Sequence, residues 1–309
     1  MKLFSIFNFK KQRKVEYTAE NVGDFYNTNH DAFIKVYGEV IQAFRTNNLA
    51  TILQYQAEQI GIKSEHRVLD AGCGICGPAR YFAKNNGCSI DAVTISKAQA
   101  EHANQLIQQE NLSDKINVHV GDYHTVDKIF PKATFDKVYF LESFGHSYDK
   151  AQLLKAIWKV LKPGGEVYIK DLFRRISNNW LVQRKIDSEI IKINKAYYYD
   201  VSDLNTFVDV VRSIGYVIVF IKTIDIPLAD FENLSISNEF QELTGIAKID
   251  NWEKYIFPID FFEIKLYKPE YDIEKGKHRY FLQNIYQLQM NHINKDELYV
   301  DVHFYKYPR

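Results

Sequence analysis

Val68-Leu69-Asp70-Ala71-Gly72-Cys73-Gly74-Ile75-Cys76-Gly77 decides the reading of this chain. Two apolar residues lead into a carboxylate, and Gly72, Gly74 and Gly77 then satisfy G-x-G-x-x-G ahead of an amphipathic stretch. Without Cβ atoms the backbone can turn tightly and admit a ligand to the N-terminus of the following helix. That pattern alone suits a dinucleotide as well as a nucleoside. Asp70 separates them, because a carboxylate at the strand's end would repel a pyrophosphate and attract an ammonium group. The ligand expected here is therefore cationic at this end. Asp91 could serve as the ribose acid of a dinucleotide fold, but Ala92 and Val93 still follow it in its strand, which disfavours a nicotinamide or flavin nucleotide.

Outward from this loop, short apolar runs alternate with amphipathic stretches. The pattern predicts strands at Arg67 to Asp70, Ser89 to Val93, Asn117 to Val120, Lys137 to Leu141 and Glu166 to Lys170. Helices are predicted at Pro78 to Asn85, Ala98 to Gln109 and Ala151 to Leu161. This βαβ rhythm means an α/β fold, a parallel sheet wound with helices on both faces. Upstream, Ala19 to Ile60 reads as a helical cap, with Phe33, Val36, Tyr37, Val40, Ile41 and Phe44 at helical spacing. Downstream, helices are expected at about Asn178 to Ala196 and Asp203 to Ile214 and a strand at Tyr216 to Ile221. Asp225 to Lys295 is expected to be mostly helical, and Glu297 to Tyr307 to form the final strand.

Composition narrows the function. The 309 residues carry 46% hydrophobic and 25% charged side chains, as expected of a folded globular protein. Lys+Arg and Asp+Glu both number 39, so the chain lacks the positive field that a nucleic-acid partner requires. Cys73, Cys76 and Cys88 are the only cysteines, which suits a reducing cytoplasm, and no apolar run is long enough to span a bilayer. Cys73 and Cys76 form C-x-x-C, but they sit inside the glycine loop with no second pair to complete a zinc site, and no metal is expected. Phe4, Phe7 and Phe9 beside Lys2, Lys10, Lys11, Arg13 and Lys14 read either as an arm making weak membrane-surface contact or as a frayed terminus.

The ordered series VLDAGCG, then Thr94-Ile95-Ser96 with Gln99, then Gly121-Asp122-Tyr123, then LKPGG resembles the motifs of class I S-adenosylmethionine-dependent methyltransferases. More narrowly it resembles the branch holding sterol, tocopherol, geranyl diphosphate and cyclopropane fatty acid enzymes. The resemblance spans about Tyr26 to Leu172 and implies a Rossmann-like doubly wound sheet with a helical N-terminal cap and a helical insertion before the last strand. Residues 1–60 would be arm and cap and 61–309 the methyltransferase domain, with acceptor-binding insertions at about 172–200 and 225–295. It further implies that S-adenosylmethionine is held by Asp70, Gly72, Cys73 and Gly74 at its amino-acid end, by Thr94, Ile95 and Gln99 around the ribose and adenine, and by Asp122 and Tyr123 at the adenine.

Glu142-Ser143-Phe144-Gly145-His146 follows the fourth strand, where α/β sheets place their ligands, and is similar to the E-S-x-x-H stretch of tocopherol methyltransferases. The resemblance implies C-methylation of an isoprenoid or other electron-rich carbon, with Glu142 and His146 as catalytic residues. When such a carbon attacks a sulfonium methyl, positive charge develops on it; a carboxylate can stabilise that charge and take the departing proton. Aromatic faces can assist, and Tyr26, Tyr37, Trp180, Tyr197 and Tyr198 are the candidates for the acceptor site. Glu142 could instead cap a helix or hold a backbone amide. The acceptor is expected to be a small molecule, apolar or a prenyl diphosphate, with Arg174, Arg175 and Arg184 available for the latter. N- or O-methylation of a small metabolite, and cofactor binding without turnover, are the other readings.

Overall fold

The computed structural model describes residues 17–224, 233–245 and 255–270, with the side chains of 233–238 excepted. Its opening helices are α1 (Ala19–Thr28), α2 (His30–Tyr37) and α3 (Leu49–Ile60). The alternating core follows as β1 (Arg67–Ala71), α4 (Gly77–Asn86), β2 (Ser89–Thr94), α5 (Lys97–Gln109), β3 (Ile116–Val120), α6 (Val126–Ile129), β4 (Phe135–Leu141), α7 (Lys150–Val160) and β5 (Leu161–Arg174). The remainder is α8 (Trp180–Tyr197), α9 (Leu204–Ile214), β6 (Val217–Thr223), α10 (Asn233–Thr244) and β7 (Ile259–Tyr267).

The described strands form one seven-stranded sheet in the order β3-β2-β1-β4-β5-β7-β6. β1 to β5 pair in parallel, as expected, and β7 enters antiparallel to both β5 and β6. The order reverses at β1, so the loops after β1 and β4 face each other across the crevice where doubly wound sheets bind ligands. One sheet face buries Val138, Phe140, Ile169 and Leu153, the other Val68, Phe82, Ile90 and Tyr139, so helices cover both sides.

Two expectations are corrected. Residues 259–267 form β7 rather than part of a helical insertion; the helical reading of 225–295 holds for α10 alone among the described residues, and the final strand expected at 297–307 lies outside them. In β7 a fully buried Glu263 sits among core positions, and it is matched by the Tyr168 hydroxyl at 2.7 Å, Lys222 Nζ at 2.8 Å and the Tyr55 hydroxyl. Those partners make a carboxylate tolerable where the strand pattern calls for an apolar residue. The second correction concerns Val40, Ile41 and Phe44: α2 stops at Gly38, whose φ of 62° leaves the helical region, and these residues run on in non-helical chain toward the sheet.

α1 docks on the start of α5. Asn27 Oδ1 accepts the Ser96 hydroxyl at 2.7 Å, and Gly23 lies so close that an added Cβ would stand 3.3 Å from Ile95 Cγ1. His30 Nε2 meets His102 Nδ1 at 3.2 Å one turn farther on. α10 covers the cap from outside, with the Phe240 ring 4.4 Å from that of Phe33.

Candidate active site

A cavity opens at the carboxyl ends of β1, β2 and β4. Every residue expected to hold the cofactor lines it: Asp70, Gly72, Cys73 and Gly74 at the end of β1 and in its loop, Thr94, Ile95 and Gln99 at and beyond the end of β2, and Asp122 and Tyr123 after β3. Glu142, His146 and Tyr26 line it too. Asp91 does not; it is buried under the sheet's edge against Arg67 Nε at 2.8 Å and His119 Nε2 at 3.0 Å.

The loop glycines answer to close approach. Gly72 has φ of 95°, and a Cβ there would lie 2.4 Å from Ser143 Cβ, because the tips of the β1 and β4 loops touch. The Ser143 hydroxyl closes that contact by donating to the Ala71 carbonyl at 2.5 Å, and the Tyr123 hydroxyl donates to the Ser143 carbonyl at 3.0 Å. Gly77, opening α4, packs under the Glu39 carbonyl. All three cysteines are free thiols, and burial beside Cys76 pushes the Cys73 thiol well up, away from thiolate chemistry.

Two polar atoms in the cavity wall are buried without a partner among the described residues: Asp70 Oδ2, an acceptor, and Gln99 Nε2, a donor. Buried polar groups are normally satisfied, so each marks a place for a ligand atom. Burial raises the Asp70 carboxyl to about 7, the response of an anion lacking its counter-charge. The amino-acid ammonium and ribose hydroxyls of S-adenosylmethionine supply a cation and acceptors of the required kinds. The residues present therefore fit that cofactor.

Asp122 is already engaged. His124 donates to it from its backbone at 2.9 Å and meets it through Nδ1 at 2.6 Å, while the Tyr148 hydroxyl donates to its other oxygen at 2.7 Å. The rings of His124 and Tyr148 stack at 3.8 Å and both line the cavity. Sequence reasoning passed over both. His124, two residues beyond Asp122, stands where an Asp commonly turns the chain onto itself, whereas nothing local marks Tyr148.

Glu142 sits at φ of 60°, uncommon for a residue with a side chain, and its carboxylate is fully occupied. It accepts the backbone N–H groups of Ala43 at 2.6 Å and Phe44 at 3.0 Å and pairs with buried Lys170. Lys170 also donates to Gln42 Oε1 at 2.6 Å and to the Phe44 carbonyl. The backbone-holding alternative for Glu142 is thus what the geometry displays.

His146 is presented differently. Its Nδ1 lies 3.0 Å from the Tyr198 carbonyl, which can only accept, so Nδ1 carries the proton and Nε2 accepts from the Tyr26 hydroxyl at 2.8 Å. Burial lowers the imidazole to about 4, leaving it neutral near pH 7. The loop beneath is pinned by Asp171, which accepts from Gly145 N–H at 3.1 Å and from the Tyr199 hydroxyl; burial raises its carboxyl to about 6. Gly145 is required here, since a Cβ would fall 1.8 Å from the Tyr199 ring.

The other aromatic candidates do not line the cavity. Tyr37 and Tyr197 belong to the cluster that fastens the cap to α10 around Phe240, and the Tyr37 carbonyl accepts from Arg45 at 2.6 Å. Tyr198 caps α8 in the left-handed region and contributes its carbonyl, not its ring. Trp180 begins α8 on the outer surface, 69% exposed. The arginines also point elsewhere: Arg174 pairs with Asp187 and Asp203, and Arg175 and Arg184 are exposed.

Comparison with known proteins agrees with this architecture. Residues 69–169 match the family described as "Methyltransferase domain". Sterol 24-C-methyltransferase of Saccharomyces cerevisiae is 31% identical over 204 residues, covering 62% of this chain and 53% of that protein, so the chain spans about half the length of this relative. Among solved structures, the [4+2]-cyclase SpnF superposes with a TM-score of 0.66 at 18% identity, over 82% of this chain and 96% of that one. Geranyl diphosphate C-methyltransferase from Streptomyces coelicolor A3(2), solved with Mg2+, geranyl diphosphate and S-adenosyl-L-homocysteine, gives 0.58 at 16% identity over 81% and 97%. Residues 69–169 thus match a methyltransferase domain, and the sheet order and glycine loop share the fold of these solved structures.

Proposed function

We propose that this protein is an S-adenosylmethionine-dependent C-methyltransferase whose acceptor is a small, uncharged molecule with an electron-rich, isoprenoid-type carbon. Support for the cofactor comes from Asp70 Oδ2 and Gln99 Nε2, a buried acceptor and a buried donor left for a cationic amino acid and a ribose. When bound, the cofactor supplies an electrophilic methyl group. Asp70 holds its amino-acid end, Gln99 and Thr94 its sugar, and Asp122, Tyr123, His124 and Tyr148 form the wall of its base.

The observation that carries C-methylation over the alternatives is the Tyr26–His146 pair. A base near 4 is poorly matched to deprotonating an amine or phenol of pKa about 10; the gap of about 6 units costs about 8 kcal/mol. A carbocation is a far stronger acid and needs no better base. On transfer the alkene's electron pair would form the bond to the methyl carbon as the methyl–sulfur bond breaks, its pair leaving with the thioether; the adjacent C–H would release its proton to the Tyr26 oxygen, and the Tyr26 proton would pass to His146 Nε2. Tyr26 also offers its ring to the developing positive charge. Glu142, whose oxygens are committed to Lys170 and to the backbone of Ala43 and Phe44, orders the wall at 42–44 without taking the proton.

Electrostatics also select the acceptor. Glu39, Asp70, Asp122 and Glu142 line the cavity, and no Lys or Arg does among the described residues. No cationic side chain among the described lining residues is placed to pair with a diphosphate, so we favour an uncharged acceptor over a prenyl diphosphate. The relationship to a sterol C-methyltransferase supports the same class.

The test is a screen with 13C-methyl-labelled cofactor over uncharged prenyl chains, sterols and quinols, prenyl diphosphates, phenols and amines. A new carbon–carbon bond on an uncharged acceptor is expected, with Tyr26→Phe and His146→Gln each lowering kcat about 100-fold at unchanged cofactor Kd. Label found on nitrogen or oxygen, or full turnover in His146→Gln, would overturn the assignment. The [4+2]-cyclase that shares this fold shows why turnover must be measured rather than assumed.

A further inference from the structure

Helix α8 is buried on one side and unusually furnished on the other. Ile186 and Ile190 anchor it against Tyr199, Val201 and Ile259. Its outward stripe carries Trp180, Leu181, Arg184 and Lys185 at the one- and four-residue spacings of a single helical face, and Arg175 and Ile176 extend that surface ahead of the helix. The apolar members are far from buried: Trp180 is 69%, Ile176 59% and Leu181 53% exposed.

The charges on this stripe are of one sign. Arg175, Arg184 and Lys185 are exposed and make no ion pair with a described acid. The acids of α8 are engaged elsewhere: Asp187 takes Arg174 and the Gln183 amide, and Glu189 takes Lys192 and the Tyr255 hydroxyl. An apolar stripe headed by tryptophan and flanked by exposed cations that no described acid pairs complements an anionic lipid surface, where the indole sits at headgroup level and each cation adds attraction.

We propose that the outer face of α8 is a docking surface for anionic membranes, with Trp180 and Leu181 inserting between lipids and Arg175, Arg184 and Lys185 contacting headgroups. The inference does not depend on methyl transfer. It does give a reason for the position of α8, whose far end supplies the Tyr198 carbonyl to His146; the cavity then lies about 27 Å, one helix length, from the inserted end.

The experiment is vesicle co-sedimentation of the full chain, comparing phosphatidylcholine alone with phosphatidylcholine containing about one-third phosphatidylglycerol. Expected are binding to the anionic vesicles only, weakening as salt rises, a loss of about tenfold in Trp180→Ala and of about tenfold or more in Arg184→Glu/Lys185→Glu, and a blue-shifted tryptophan emission that Trp180→Ala abolishes. Cofactor affinity in both variants should equal that of the parent, which separates lost docking from lost fold. Three results would overturn the proposal: no preference for anionic vesicles, binding insensitive to both variants, or sedimentation velocity showing that Trp180→Ala breaks a dimer while vesicle binding is absent throughout.

Discussion

The two ends of the cavity are built by different means. The end proposed for the cofactor is made from strand ends and the loops that follow them: Asp70 to Gly74 at the end of β1, Thr94 to Gln99 at the end of β2, Asp122 and Tyr123 after β3. Each loop is fixed by its own strand, so a contiguous motif carries its geometry. At the acceptor end, Tyr26 comes from α1, His146 from the β4 loop and the Tyr198 carbonyl from the end of α8. No stretch of sequence contains that meeting. A site assembled from local loops can be read residue by residue, whereas one assembled from distant elements depends on packing that the chain does not spell out.

That contrast can be broken most severely at Glu142. Glu142→Gln leaves Lys170 buried without its partner and should cost about 3 kcal/mol in denaturant unfolding, with Lys170→Met in the same chain restoring part of the loss. A stability change under about 1 kcal/mol accompanied by abolished turnover would instead return Glu142 to the chemistry. At the end proposed for the cofactor, Asp70→Asn should raise the Kd for S-adenosylmethionine about 100-fold by calorimetry while leaving the melting temperature unchanged or higher, since Oδ2 is buried without a partner among the described residues. A loss of less than about threefold would mean that the ammonium is held elsewhere.

The smallest effect is a pH dependence. The Asp70 carboxyl titrates near 7 in the free protein, and a bound ammonium favours its ionised form, so the bound-state value falls below the free one. Affinity should therefore rise about tenfold from pH 6 to pH 8 and level off above, and Asp70→Asn should be flat over the same window. An affinity that falls with pH would reverse the sign and remove Asp70 from the amino-acid end.

β1 to β4 were legible because each is a short apolar run closed by turn chemistry; β5 instead begins at Leu161, so the stretch to Gly165 expected as a turn before a strand at Glu166 to Lys170 belongs to the strand, Leu161 pairing with Phe135 ahead of an irregularity in β4. β7 was not, because Glu263 interrupts its buried positions and the residues that satisfy it, Tyr55, Tyr168 and Lys222, lie on three other elements. Residues 40–44 misled for the opposite reason: their apolar spacing continues that of α2, and only the conformation of Gly38 ends the helix. At the site, Tyr26 and His146 were both nameable in advance, but not as hydrogen-bond partners, nor was the role of Tyr198 as a carbonyl, since ring chemistry drew attention to the wrong atoms.

Helix α1 has a double duty with a consequence for timing. Its residues Ala19 and Val22 roof the same chamber into which it carries Tyr26, and Asn27 and neighbouring His30 tether it to α5 by a few polar contacts. Were α1 to swing outward to release a product, it would part the phenol from the imidazole, so under the proposed chemistry the proton would have to move before release.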